Sequence, residues 1–268
     1  MAALWVNGQA ATTLSLDDGL DRGLQFADGH FTTMRWQQHP LWWDYHWRRL
    51  CAANQRLAIQ QPPSEQQLLD TIAEATQGQQ QAVVKVIITR GCGGRGYASN
   101  GMANAERAQW YISTAALPAK QVSIDIGEVT TRLAKQPLFA GLKTLARLEQ
   151  VMIQRELAQL PWQDALVCDT DGYLVEAAAG NLFWQQGSQW FTPCLAEAGI
   201  DGVARQLILN QGWLGDVKQV RIALKDFKDV DNAFICNSVR GAVPVNKING
   251  KVVSFPELPA VLQQIVAP

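Results

Sequence analysis

The chain has 268 residues, enough for one large domain or two smaller ones with a sizeable buried core. Hydrophobic residues make up 47% and charged residues 18%, the composition of an ordinary globular protein. A formal net charge of -1, with no basic or acidic block, excludes the electrostatic footprint of a nucleic-acid binder and gives no reason to expect an anionic membrane as partner.

In chain order, "MAALWVNGQAATTLSL" lacks a basic start and a long apolar run. No later segment reaches the ~18 apolar residues of a membrane span, so a cytoplasmic location is expected. Within this stretch "ALWVNGQAA" reads as a hairpin closed by Asn7-Gly8, a pair that tolerates the positive φ such turns need. "WRRLCAANQRLAI" and "SEQQLLDTIAEAT" read as helices, the second opened by a capping box of Ser64 and Gln67. "AVVKVIITR" and "AQWYISTAAL" read as strands flanking the glycine-rich loop "GCGGRGYASNGMANAER". A domain boundary is placed near Pro118, giving domains 1–118 and 119–268.

The second half opens with "LFAGLKTLARLEQVMIQREL", in which Leu142, Leu145, Leu148 and Met152 recur at helical spacing and predict one helix with a buried stripe. On such a helix Lys143 and Arg147 lie a turn apart. Their mutual repulsion and the apolar neighbours would lower the lysine pKa and favour an amine nucleophile; the alternative is a lysine whose stem runs along the helix with its ammonium in water. "DALVCDTDGYLVEAAAGNLFWQQGSQWFTP" carries turn signals at Asp171-Gly172 and Gly187-Ser188 and predicts an antiparallel meander. "DGVARQLILNQGWL" predicts a helix after Asp201-Gly202, and "NAFICNSVRGAVPVNKINGKVV" a strand, a turn and a hairpin at Asn249-Gly250. The coarse expectation is two α+β domains, the first smaller and the second larger and strand-rich.

Five cysteines without a C-x-x-C pair, and only three histidines, offer neither a disulfide framework nor an evident metal cluster. Candidate chemistry lies elsewhere. Glu176 sits where a strand pattern gives way to small residues, a setting in which a carboxylate can face a protonated ring nitrogen. The helix after Gly202 offers first-turn N–H groups near Val203 and Ala204 to an anion, and Arg49 in "HWRRL" and Ser238 in "ICNSVRG" add a guanidinium and a hydroxyl. Arg90 and Arg95 in "RGCGGRGY" could clamp carboxylates, the alternative being a mobile surface loop with incidental arginines. An amine, an acid for a pyridine nitrogen and a helix N-terminus for a phosphate are together what pyridoxal 5'-phosphate requires.

In motif order and spacing, nearly the whole chain resembles the fold-type IV pyridoxal-phosphate enzymes, the group of branched-chain and D-amino acid aminotransferases and 4-amino-4-deoxychorismate lyase. The resemblance runs through "DRGLQFADGHFTTMR", "HWRRL", "GLKTLARLEQ", "VEAAAGNLFW", "GIDGVARQ" and "CNSVRGAVPV". It implies that Lys143 carries the cofactor and acts as base, that Glu176 partners the pyridine nitrogen, and that Arg49, Val203, Ala204 and Ser238 hold the phosphate, with Asn181 behind the ring. "RGCGGRGY" and the Lys143 motif look most like the lyase branch, which converts 4-amino-4-deoxychorismate to 4-aminobenzoate and pyruvate in folate biosynthesis. Ala146 departs from the asparagine that many lyases carry, and Leu148 stands where aminotransferases often have tyrosine. On this reading Arg95 and Arg90 hold substrate carboxylates, and Thr32 and Thr33 line the pocket or move protons. The resemblance also implies a homodimer, a contact the tryptophans of "RWQQHPLWWDYHW" would suit as well as they would a core. An aminotransferase of the same fold is the alternative, and a catalytically idle cofactor-binding protein the third.

Overall fold

The computed structural model describes residues 4–13, 20–99, 108–254 and 257–265. The end of the glycine-rich loop, residues 100–107, lies outside them. The chain divides into two compact units, 1–117 with 143–146, and 118–142 with 147–268.

The first unit is built on an antiparallel sheet of five strands in the order β2-β1-β5-β4-β3: β1 (Leu4–Val6), β2 (Gln9–Ala11), β3 (Gly29–Gln37), β4 (Gln81–Thr89) and β5 (Gln109–Ala115). The Asn7-Gly8 turn closes β1 onto β2 with φ of 48° and 83°, the left-handed pair read from the sequence. A short helix α1 (Arg22–Phe26) precedes β3, and α2 (Trp43–Arg56) and α3 (Glu65–Ala75) follow it. The capping box at Ser64 forms as expected: Ser64 Oγ accepts the Gln67 N–H at 3.2 Å and Gln67 Oε1 accepts the Ser64 N–H at 2.9 Å. Met34 of β3, Val84, Val86 and Ile88 of β4 and Ile112 of β5 alternate onto one sheet face and bury there against Leu50, Leu68 and Ile72 of the helices. Trp36, Trp43 and Trp47 pack along the margin of this core.

The helix predicted across Lys143 is not formed. Instead residues 143–145 run antiparallel along the outer edge of β3: Phe31 N–H donates to Lys143 O at 2.9 Å and Leu145 N–H to Gly29 O at 3.0 Å, with His30 opposite Thr144. An edge strand has unpaired backbone groups that attract such a partner, and this outweighs the helical spacing of the leucines. The helix α4 begins only at Leu148 (Leu148–Leu157), and Arg147 is its N-cap residue. The expected buried stripe fails too. Leu142 is buried, but Leu148 is 73% and Met152 43% exposed; Ile153 and Leu157 are the residues α4 buries.

The second unit holds a mixed sheet, β11-β10-β9-β12-β13-β6-β7-β8 with β14 beside β13. Its strands are β6 (Ile124–Glu128), β7 (Asp164–Cys168), β8 (Leu174–Ala177), β9 (Asn181–Gln186), β10 (Gln189–Pro193), β11 (Lys218–Val220), β12 (Asn232–Asn237), β13 (Gly241–Ile248) and β14 (Lys251–Val252). The hairpins β7/β8 and β9/β10 form at the turns read from the sequence, but the single meander does not. The strand β8 ends the sheet, and β9 pairs instead with β12. Every residue of β7 is buried because the strand faces two cores. Leu166 and Cys168 join Leu182, Trp184, Ile235 and Val245, while Ala165 and Val167 meet Ile153 and Leu157 of α4. The helix α5 (Val203–Gln211) starts after Gly202 as expected.

Candidate active site

The first unit collects positive groups on one face of its sheet. Cross-strand neighbours point the same way, so Lys143 opposite Phe31 stands over that ring. Its Nζ lies 4.6 Å from the ring centroid, and the Nζ of Lys85, from β4, lies at the same distance. Burial pushes the Lys85 ammonium below its ordinary range. Lys85 was not singled out in the sequence; its place on the half-buried phase of "AVVKVIITR", with Val83 and Ile87, was the available signal.

The two threonines of β3 separate. Thr33 pairs with Lys85 and shares the Phe31 face. Thr32, expected to move protons, faces the core, is fully buried, and its hydroxyl is 2.6 Å from His46 Nδ1. That expectation is corrected: strand alternation puts the hydroxyl of Thr33, not Thr32, on the lysine side. Behind it, His30 Nε2 lies 2.7 Å from Asn54 Oδ1. Burial pushes His30 down to about 4 against the Asn54 bond, and His46 to about 3, with the Arg49 charge lowering both. The half-buried Arg49 thus works beside two neutral imidazoles.

Arg90 also departs from expectation. Its Nε and Nη2 donate to Asp28 at 2.8 and 3.0 Å, and Nη1 and Nη2 donate to the carbonyls of Ala58 and Leu57, each at 2.7 Å. A guanidinium so committed ties α2 to the start of β3 and has little left for a substrate carboxylate. Arg95, by contrast, is exposed.

In the second unit the candidates are acceptors and N–H donors gathered around Ile200. Glu176 is 5% exposed, and its Oε2 accepts the Ile200 N–H at 2.8 Å. Asn181 donates from Nδ2 to Ile200 O at 2.8 Å and accepts the Gly202 N–H at 3.0 Å. One residue therefore fixes the Glu176 carboxylate, the Asn181 amide and the approach to α5 together. Beside the Gly202 N–H, which Asn181 takes, the N–H groups of Val203 and Ala204 belong to the first turn, whose donors a helix does not satisfy internally. Ser238 follows β12 in a turn shaped by Asn237, whose Oδ1 accepts the N–H of Val239 (2.9 Å) and Arg240 (2.7 Å). Asn237, missed in the sequence, also donates to Ala179 O at 2.8 Å. Burial lowers the pKa of the Arg147 guanidinium, which the charges of Glu176 and Glu149 oppose.

With these residues placed, the chain can be compared with known proteins. The family described as amino-transferase class IV matches residues 29–248. The aminodeoxychorismate lyase of Vibrio harveyi is 34% identical over 255 residues, 91% of each chain. The chain belongs to the class IV aminotransferase family. Within that family, the crystal structure of 4-amino-4-deoxychorismate lyase from Pseudomonas aeruginosa superposes with a TM-score of 0.83 at 30% identity, covering 98% of this chain and 96% of that one. The branched-chain amino acid aminotransferase of Escherichia coli shares the fold at 18% identity, with a TM-score of 0.80 over 98% and 91% of the two chains. The fold is accordingly that of the fold-type IV enzymes, α+β with two separate sheets.

Proposed function

We propose that this chain is an aminodeoxychorismate lyase, converting 4-amino-4-deoxychorismate to 4-aminobenzoate and pyruvate with pyridoxal 5'-phosphate as cofactor. The observation that carries the reading is the linked set of Glu176, Asn181 and the α5 N-terminus around Ile200, in a chain whose similarity to two lyases spans nearly its full length. The residues fit the cofactor. In the second unit the N–H groups of Val203 and Ala204 and the Ser238 hydroxyl suit a phosphate, and a buried carboxylate suits a protonated pyridine nitrogen; Arg49 is assigned to the phosphate on the family resemblance. When bound, the cofactor supplies a ring that accepts the electron pair released as the substrate is deprotonated.

The side chains divide the remaining work. The Nζ of Lys143 removes the proton from C4 of the substrate, Phe31 shielding that amine from water on one side. Glu176 keeps a proton on the ring nitrogen, and its own carboxylate is oriented by the Ile200 N–H. Expulsion of the enolpyruvyl group from the neighbouring carbon then leaves an aromatic ring. Arg95, Lys85 and Thr33 are the groups we assign to the substrate's carboxylates and pocket wall.

The same reading includes a homodimer in the cytoplasm. Leu148, Val151 and Met152 form an exposed apolar ridge on α4, and Leu138 and Phe139 are exposed as well, so a second copy of the chain is the cover we assign. Sedimentation should give twice the chain mass.

The deciding experiment follows 4-aminobenzoate and pyruvate from 4-amino-4-deoxychorismate with added cofactor. Wild type should release both, and Lys143→Ala should be slower by about 10³-fold or more. Amino-group transfer to a 2-oxo acid without pyruvate release would instead make it an aminotransferase.

A further inference from the structure

Arg22, the first residue of α1, is 3% exposed, although it lies next to a glycine-rich surface loop. Its Nη1 donates to Gly96 O at 3.0 Å, with the carbonyls of Gly93 and Ala98 each at 3.4 Å, and its Nη2 donates to Tyr97 O at 3.0 Å. Nε donates to Asp28 Oδ2 at 2.9 Å, the same oxygen that accepts Arg90 Nε. The Arg22 N–H closes the base of the loop on Gly91 O at 2.9 Å. Asp28 thus sits between two arginines, which hold its carboxyl below the ordinary range although burial opposes them.

Among its described residues, 91–99, the loop has little regular backbone pairing of its own. Gly93, Gly94 and Gly96 have φ of 114°, 79° and 58°, and Ala98 N–H to Arg95 O at 3.2 Å is a bond within its turn. Such a backbone turns its carbonyls inward, and these converge on the planar fork of a guanidinium, which has five donors and fixed geometry. Lysine has no equivalent geometry. Arg95 and Tyr97 are left exposed on the outer side, the Tyr97 ring lying edge-on to Phe26 at 5.3 Å between centroids. Arg22 in turn lies over the same Phe26 ring.

We propose that Arg22 is a positioning residue for the lyase reaction: it templates residues 93–98 so that Arg95 is presented to a substrate carboxylate. This rests on the reading of Arg95 as a substrate-binding group.

The test uses the full chain loaded with pyridoxal phosphate, comparing Arg22→Gln, Arg95→Gln and the double variant with 4-amino-4-deoxychorismate, together with hydrogen exchange of the loop amides. Each single variant should raise KM about tenfold, the scale of one lost charge-assisted hydrogen bond, with kcat within about twofold. The double variant should be no worse than Arg95→Gln, and the amides of 93–98 should exchange faster whenever Arg22 is replaced. Additive KM effects, or a loosened loop with unchanged KM, would reduce Arg22 to a structural residue and overturn the proposal. An Arg95→Gln enzyme with normal KM also overturns it, while leaving the lyase assignment, which turns on product release and Lys143, in place. Should Arg22→Gln not fold, Arg22→Lys and Asp28→Asn make the same comparison; a smaller rise in KM is expected from each, and no rise in either is the overturning result.

Discussion

The two units hold their candidate residues by opposite means. In the first, charged side chains organise backbone: Arg22 and Arg90 gather carbonyls from the loop and from the end of α2 around one carboxylate, and two ammonium groups share the Phe31 ring. In the second, backbone and amides organise the acceptors: Ile200 N–H orients Glu176, Gly202 N–H orients Asn181, and Asn237 shapes the Ser238 turn. A unit that positions donors must neutralise and desolvate cations, whereas one that positions acceptors can use N–H groups already fixed by a sheet or a helix end. Backbone donors have no rotamers to lose, so the second means costs less side-chain entropy.

The strongest challenge to this contrast is Glu176→Gln. It keeps an acceptor for the Ile200 N–H but lacks the charge that stabilises a protonated pyridine, so kcat should fall by about 10²-fold or more while cofactor affinity changes little. An unchanged kcat would mean that Glu176 serves the loop alone.

Acid separates the units next. His30 and His46 are neutral in the fold, with pKa near 4 and near 3 against 6.5 when unfolded, so the unfolded chain binds protons first as pH drops. Their contribution is complete above pH 6.5 and is lost progressively from there down to about pH 3, on the order of a few kcal/mol for each histidine. Asp164 in the second unit has the opposite sign. Burial raises it against Ala165 N–H, the Arg240 charge and further backbone bonds, so its share is complete below 3.8 and is lost as pH rises through its higher folded value. Urea titrations from pH 7.5 to 4.5 should show a falling midpoint that His46→Asn flattens; a pH-independent midpoint would remove the histidines from the account.

Asn181→Ala is a smaller perturbation. It orphans the Ile200 carbonyl and the Gly202 N–H, and should weaken pyridoxal phosphate binding by about tenfold, and phosphate-free pyridoxal by less. Equal losses for both ligands would show that the amide does not serve the phosphate end.

The least effect is expected from Glu156→Gln. Hydrogen bonds from the N–H and hydroxyl of Thr130 and Thr131 outweigh burial and pull this carboxyl down to about 2. It is still partly exposed, however, and the loss should stay at about 1 kcal/mol, a shift in Tm of about 2–4 °C.

What the sequence disclosed was local chemistry. The Asn7-Gly8 turn, the Ser64 capping box and the start of α5 after Gly202 are each decided by neighbouring residues, and each forms. Lys143 shows where that ends. Its leucines satisfy a helical period, yet the backbone is claimed by the edge of β3, a partner distant in sequence. The turn signals between Asp164 and Pro193 located two hairpins but carried no information about β9 pairing with β12. Thr32 is readable from the sequence: it is in phase with Met34, a core residue, and its place on the buried face follows. Arg90 and Arg22 were opaque because, beside Asp28, their partners are carbonyls, which every residue possesses.

The assignment of residues 143–146 has a consequence for inheritance. The chain leaves the first unit after Leu117, returns to it at Lys143 and leaves again after Ala146. A crossover at Pro118 between two related genes would deliver the Lys143 segment with one parent and the strand edge that receives it with the other. The halves are therefore poor modules for exchange: Gly29 packs against Leu145 and Phe31 against Lys143, so changes on either strand are felt more than a hundred residues away.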